Sequence, residues 1–541
     1  MVTLVILRTG VAAQLGLEGS GMRRRLVVGL FCALLALLGP SVASAQSSTV
    51  TSFDGTRIHV NFFAAANLAR GKRAPTVMLG PGWGSPGDTN PNDSTDVSAG
   101  IPGVGTLRRA GFNVLTWDPR GFGSSGGIVK VDNPRYEGRD VSAMISWLAR
   151  QPQALLDHPG DPRVGMAGGS YGGGIQLVAA AIDHRIDAIV PDIAWHSLIT
   201  SLDKHDTAKL GWASLLYLAG HAGRLDPLIG DSYEADVLGE PLSSAERNFY
   251  ASSGPGELVT KIRAPTLLIQ GTVDTLFTLQ EAVTNYQILR RDGVPVKMLW
   301  FCGGHGICLT KAGDTSLIDK DTIAWLDRYL KHQTRVKTGP TFEWVDQDGA
   351  EHTATDYPLA SDGSLSARGK GALQITSTGG SGPVIPGPGS GALGAAAASI
   401  TPAKATNAVN VKLRSPRRTA LVVGAPRLTI TYRGQASNAK SGTSIYAQVL
   451  DDATGKVLGN QITPVPIKLD GHSHTLTENL EILAASAKPG EQFTLQLTAG
   501  TVAYQTQRAV GSVTFSRIDI VLPIVNPKAA PPGHKDSRLS F

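Results

Sequence analysis

Residues 165–176 read GMAGGSYGGGIQ. Within them, Gly168-Gly169-Ser170-Tyr171-Gly172 has the G-x-S-x-G spacing of a serine set on a sharp strand-to-helix turn. Such a serine is a nucleophile when a base takes its proton and an acid orients the base. Spacing alone does not establish one. The chain has 63 glycines in 541 residues, so two flank a serine at these offsets by chance roughly once in 70. Gly123-Ser124-Ser125-Gly126-Gly127 also fits.

Local context separates the two serines. Ser170 follows the apolar run RVGMAG (163–168) and precedes GGIQLVAAAI, which reads as a helix. Strand, tight turn and helix push a hydroxyl out over a sheet edge, and the helix N-terminus favours developing negative charge. Ser125 lies in DPRGFGSSGG, a loop with no helix directly after it, and reads as a structural turn.

Of 12 histidines, His305 in WFCGGHGIC is the one that directly follows a late apolar run inside a glycine-rich loop. It is the candidate base. LLIQGTVDTLF places Asp274 just past another such run, which makes it the candidate acid, with Asp192 after AIVP as the competitor. Sites in parallel sheets gather outside the carboxyl ends of the strands, where all these residues fall. The oxyanion needs two donors. The backbone N–H of Tyr171 is one. Trp83 in PGWGS, through its backbone or its indole N–H, is the candidate for the other.

Several elements must position these groups. TVMLG (76–80), FNVLTW (112–117), RVGMAG, AIVPDI (188–193), TLLIQG (266–271) and VKMLWF (296–301) read as buried strands. RDVSAMISWLARQ (139–151) and KDTIAWLDRYLKH (320–332) read as helices between or after them. Alternation of this kind implies a mostly parallel sheet with helices on both faces, an α/β fold over 46–340. The long interval after AIVPDI, with TAKLGWASLLYLAGHAG (207–223), implies an inserted helical cap over about 195–260. Residues 341–400 read as a connecting strand and a Gly/Pro/Ala-rich linker, and 401–526 as an all-β, jelly-roll-like sandwich. The tail 527–541 reads as disordered.

At the N-terminus, Met22-Arg23-Arg24-Arg25, the run LVVGLFCALLALLG and Ala43-Ser44-Ala45 have the form of an export signal over 1–45, with Met22 an alternative start. The run is short for a membrane span, so the mature chain is expected to have none and to be secreted or held in the cell envelope. Residues 1–45 carry four arginines and one glutamate, net +3 of the formal +6, which leaves about +3 with no long basic run and no case for nucleic acid. Two cysteines remain after the signal, Cys302 and Cys308, three residues either side of His305. They read as a disulfide stapling the histidine loop. Free thiols are one alternative. A Cys302-His305-Cys308 metal site is another, but it lacks a fourth ligand, so no metal or cofactor is expected.

GPGWGS, WDPRGFGSSGG, GGSYGG, IQGTVDTLF and CGGHG, in this order, resemble the α/β-hydrolase fold, and more closely the Xaa-Pro dipeptidyl-peptidase and cocaine esterase (CocE/NonD) family. The resemblance implies a serine hydrolase forming an acyl-enzyme through Ser170, with His305 and Asp274 completing a triad. It also implies a C-terminal jelly roll. Members of that family typically present a tyrosine hydroxyl in the oxyanion hole, where this chain has Trp83. A peptidase of this type also needs a carboxylate for the substrate amine. Asp203, Asp206 and Glu234 are the candidates in the cap, and each also reads as an ordinary solvated charge. The expectation is an exported hydrolase of small-molecule or peptide acyl substrates. The alternatives are an Xaa-Pro dipeptidyl-peptidase and an envelope-associated binding protein with an inactive hydrolase domain.

Overall fold

The computed structural model describes residues 46–95, 100–387, 391–439 and 443–528. The expected signal, 1–45, and nearly all of the tail lie outside them.

Ten strands form one sheet: β1 (Gln46–Thr51), β2 (Arg57–Phe63), β3 (Thr76–Gly80), β4 (Asn113–Trp117), β5 (Val164–Gly169), β6 (Ile186–Asp192), β7 (Thr266–Gly271), β8 (Val296–Phe301), β9 (Phe342–Val345) and β10 (Glu351–Ala354). Their order is β1-β2-β4-β3-β5-β6-β7-β8-β9-β10, parallel from β4 to β9. The helices of this domain are α1 (Val104–Arg109), α2 (Glu137–Leu148), α3 (Tyr171–Ile182), α4 to α7 in the insertion, α8 (Leu279–Arg291) and α9 (Leu317–Tyr329).

Side-chain alternation explains why the central strands are apolar throughout. Met78, Met166, Leu268 and Met298 pack on one side against α2, α3 and α8, through Met144, Leu177 and Tyr286. Val77, Leu79, Ala167, Leu267 and Leu299 point to the other side, against Leu107 of α1 and Trp325 and Leu326 of α9. Both faces are covered, so neither parity of residue can be polar.

Between β6 and β7 lie α4 (Leu198–Leu202), α5 (Leu210–Gly220), α6 (Pro227–Leu238) and α7 (Ser244–Ala251). Their ends are written locally. Asp226 caps α6 by accepting from the Leu228 N–H, with Pro227 at the first turn and Gly239 left-handed (φ 63°) at the end. Ser243 and Glu246 form a capping box on α7.

Two antiparallel sheets form the C-terminal sandwich from β11 (Ala360–Ile375), β12 (Ala408–Leu413), β13 (Ala420–Gly424), β14 (Arg427–Ser437), β15 (Ser444–Asp451), β16 (Val457–Pro466), β17 (Asp470–Asn479), β18 (Leu483–Ala487), β19 (Phe493–Thr498) and β20 (Val510–Asn526). The smaller sheet runs β12-β19-β15-β16, and β20 is shared by β11, β13 and β14 in the larger. Val411, Val449 and Leu495 meet Ile430, Ile518 and Ile520 in one core.

The expected boundaries at 340 and 401 are corrected. β9 joins the ten-stranded sheet beside β8, and β11 already belongs to the sandwich through β20. The segment read as a linker carries a helix, Gly391–Ser399. Ala397 and Ile400 pack with Trp212 and Ile229 of the cap. Small residues here permit close docking rather than freedom.

Candidate active site

β5 ends at Gly169 and α3 begins at Tyr171, so Ser170 occupies the turn between them with φ 55° and ψ −116°. Its N–H donates to the Asp192 carbonyl at 2.9 Å. The flanking glycines are required by contact. A Cβ on Gly172 would stand 2.1 Å from the Gly80 carbonyl oxygen, and one on Gly168 (φ 151°) 2.7 Å from it. The turn therefore packs directly on the end of β3.

The loops after β7 and β8 bring Asp274 and His305 to the same edge. His305 Nε2 lies 2.8 Å from Ser170 Oγ, and Nδ1 lies 2.8 Å from Asp274 Oδ2. An ionised carboxylate only accepts, so Nδ1 carries the proton and Nε2 is free to accept the serine's. Asp274 is fully buried. Its Oδ1 accepts from the Leu276 and Phe277 N–H groups at 2.9 Å each, and its Oδ2 also accepts from the His305 N–H at 3.1 Å. Phe277 and Trp212 hold the imidazole between two aromatic edges, with ring centroids 5.2 and 5.8 Å away. Asp192 contributes main chain to the turn, and the acid beside His305 is Asp274.

Ser125 is a structural group. Its Oγ donates to the Asp118 carbonyl at 2.6 Å and accepts from the His59 N–H at 2.8 Å. Trp83 meets the site differently from one of its two expectations. Its indole N–H donates to the Leu216 carbonyl of α5 at 2.8 Å, and its ring packs edge-on against Tyr171 and Phe122. The indole is engaged with the cap, which leaves the backbone N–H as the donor Trp83 can offer an oxyanion. Cys302 and Cys308 are bonded, with Cα atoms 5.5 Å apart.

Ser170 opens into a cavity beneath the cap. Its wall is largely apolar, with Trp195, Leu198, Leu216, Ile229 and Phe277 among the lining residues. Asp203 and Asp236 also line it. Burial lifts both carboxyls, Asp203 to about 6 and Asp236 to about 7, and the charge of Asp203 adds to the rise at Asp236. Arg247 pairs with Asp206 at 2.6 Å and more distantly with Asp203 at 3.4 Å. Glu234 is exposed and does not line the cavity. Asp236 escaped the sequence reading because nothing in SYEADVLGE marks which helix face meets the cavity.

The model of the X-Pro dipeptidyl-peptidase (S15 family) matches residues 54–306, a stretch that holds Ser170, Asp274 and His305. Residues 54–306, just under half of the chain, are thus similar to the S15 family. A similar fold is found in a CocE/NonD family hydrolase from Staphylococcus aureus, with TM-score 0.62 and 14% identity over 91% of this chain and 100% of that one. It is shared equally by an α-amino acid ester hydrolase, with TM-score 0.67 and 13% identity over 94% and 100%. A polyketide transferase of Gibberella fujikuroi is 28% identical over 169 residues, 29% of this chain and 48% of that protein. The chain thus spans about half the length of that curated relative. Among the described residues no helix is long and apolar enough to cross a membrane.

Proposed function

We propose that the hydrolase cleaves an ester or amide acyl bond by double displacement at Ser170. Ser170 Oγ attacks the acyl carbon while His305 Nε2 takes its proton. The carbonyl π electrons move to oxygen, where the backbone N–H groups of Tyr171 and Trp83 receive the charge. The tetrahedral adduct collapses as His305 protonates the departing alkoxide or amine, leaving an ester on Ser170. Water, deprotonated by His305, attacks that ester, and the acid departs as the C–Oγ bond breaks and His305 returns the proton to Ser170 Oγ. Asp274 fixes the imidazole tautomer and balances the imidazolium. The observation that carries this reading is the continuous chain Ser170 Oγ, His305, Asp274, with both links at 2.8 Å.

The cavity supports an apolar acyl group. Asp203 and Asp236 in its wall support a second reading, in which the acyl group bears an amine, as an aminoacyl or peptidyl substrate does. The apolar N-terminal run and the bonded cysteines support export to an oxidising compartment. An acceptor other than water would use the same acyl-enzyme, and the Gibberella relative is named for transfer.

Intact-mass analysis after a fluorophosphonate probe tests the nucleophile. Wild type and Ser125→Ala are expected to gain one adduct and Ser170→Ala none. Labelling of Ser170→Ala at the wild-type rate would overturn the assignment. A panel of short acyl esters, aminoacyl esters and Ala-Pro amides then ranks the substrate classes.

A further inference from the structure

The loops that carry Asp274 and His305 are also held by the C-terminal sandwich. Where β15 pairs with β16 the register slips, from Gln448 opposite Ile462 to Leu450 opposite Val457. Residues 458–461 of β16 are thrown out of the ladder there. Gly459 and Asn460 are both left-handed, with φ of 60° and 55°. A bulge of this kind re-aims side chains. Here it aims them at the hydrolase. Gln461 Nε2 donates to the Asp274 carbonyl at 2.8 Å. Asn460 Nδ2 donates to the Ile307 carbonyl at 2.8 Å, and Lys456 Nζ to the Leu309 carbonyl. Asn460 and Gln461 are 2% and 5% exposed, so their bonds are not in competition with water.

We propose that the β16 bulge is a positioning element of the catalytic site, with Gln461 setting the Asp274 peptide and Asn460 the histidine loop. This rests on the roles proposed above for Ser170, His305 and Asp274. Both groups sit on loops, whose geometry is less exact than that of strands unless neighbours hold it. The Asp274 carboxylate is held by the Leu276 and Phe277 N–H groups, so the turn that begins at the Asp274–Thr275 peptide plane sets where it meets His305 Nδ1. The Gln461 amide fixes that plane from one side. On the other side, Lys209 Nζ donates to the Leu276 carbonyl at 2.8 Å and the Trp212 indole to Thr275 Oγ1 at 3.0 Å. The acid loop is thus clamped between cap and sandwich, and the sandwich acts on turnover rather than only on the binding of a distant ligand.

Generic docking of the two domains would also place side chains across the interface, so the test compares two glutamines. Gln347 binds Ser486 across the same interface through its side chain, donating to the Ser486 carbonyl at 2.7 Å and accepting from its N–H at 2.8 Å; its link to the histidine loop is its main-chain carbonyl, which accepts from the Lys311 N–H at 3.3 Å and is retained in an alanine variant. Full-length wild type, Gln461→Ala and Gln347→Ala are compared for kcat and KM on an ester accepted by wild type, for the fluorophosphonate labelling rate, and for Tm. Gln461→Ala is expected to lose roughly 10- to 100-fold in kcat and in labelling rate, with KM within about threefold. Gln347→Ala is expected to keep both rates within about twofold while lowering Tm. Equal rates for the two variants would overturn the proposal. If Gln461→Ala does not fold, Gln461→Asn, one methylene shorter, is read against Gln347→Ala in the same way. Wild type that neither turns over nor labels would overturn the nucleophile assignment and this proposal with it. Wild type that labels beside an unaffected Gln461→Ala overturns this proposal alone.

Discussion

The Trp83 indole donates to the Leu216 carbonyl across 133 residues of chain, tying the loop after β3 to the cap helix above Ser170. The ring therefore acts as a strut. Trp83→Phe removes the strut's hydrogen bond and keeps the backbone N–H. Its kcat is expected within about threefold of wild type, with Tm lowered because the Leu216 carbonyl loses its partner. A loss of about 10²–10³ in kcat would instead make the indole the oxyanion donor.

Backbone contact between Gly172 and Gly80 sets a second expectation. A methyl group at Gly172 meets a carbonyl oxygen at 2.1 Å, and no side-chain movement relieves that overlap. Gly172→Ala should fall below the stability needed for soluble expression, a loss of about 3 kcal/mol or more. Gly230, inside α6, has its nearest neighbour for an added Cβ at 3.6 Å, the Tyr217 hydroxyl. Gly230→Ala should gain about 0.5–1 kcal/mol by chemical denaturation, from helix propensity alone.

The two serines of the G-x-S-x-G matches should behave oppositely. Ser170 has φ 55°, a conformation in which a non-glycine residue stores about 1–3 kcal/mol. Ser170→Gly should raise Tm while abolishing turnover. Ser125→Ala strands a buried N–H and a carbonyl, costing about 1–3 kcal/mol, and should leave kcat unchanged. A Ser170→Gly variant less stable than wild type would remove the strain argument.

Asp236 predicts a pH signature. Burial lifts its carboxyl to about 7, so it is neutral below that pH and anionic above it. An α-amine with an ordinary pKa near about 7.7 is still largely protonated there. Ionic attraction between the two should therefore be greatest near pH 7–8 and fade toward pH 6 as the carboxyl takes up its proton. KM for an aminoacyl ester should drop from pH 6 to pH 7.5, while KM for its N-acetyl counterpart stays flat. Asp236→Asn should flatten the first profile. A pH-independent difference between the two esters would reject an amine contact at Asp236.

Part of this was open to reading without coordinates. Ser170, Asp274 and His305 each stand within a few residues of the end of an apolar run, and parallel strands buried on both faces must be apolar at every position. Runs so marked deliver their carboxyl ends to one edge, so the three residues share a neighbourhood by topology. The helix ends of the cap were equally local, since Asp226-Pro227 and Ser243 with Glu246 satisfy backbone groups within one turn.

What the tertiary structure alone decided lies across long separations. Residues 341–400 are rich in glycine, alanine and proline, which locally reads as a linker. Ala397 and Ile400 are nevertheless buried against the cap, and β11 finds its partner in β20, some 150 residues on. Trp83 has two N–H donors, and only the position of α5 determines which one remains free. Asp236 differs from a solvated charge only by the cavity it faces. Gln461 reaches Asp274 over 187 residues through a bulge that no pattern around LGNQIT announces. Local spacing fixes what the backbone does within a turn or a strand. The partner of a side chain, and the burial that tunes its chemistry, depends on which distant surface the fold brings against it.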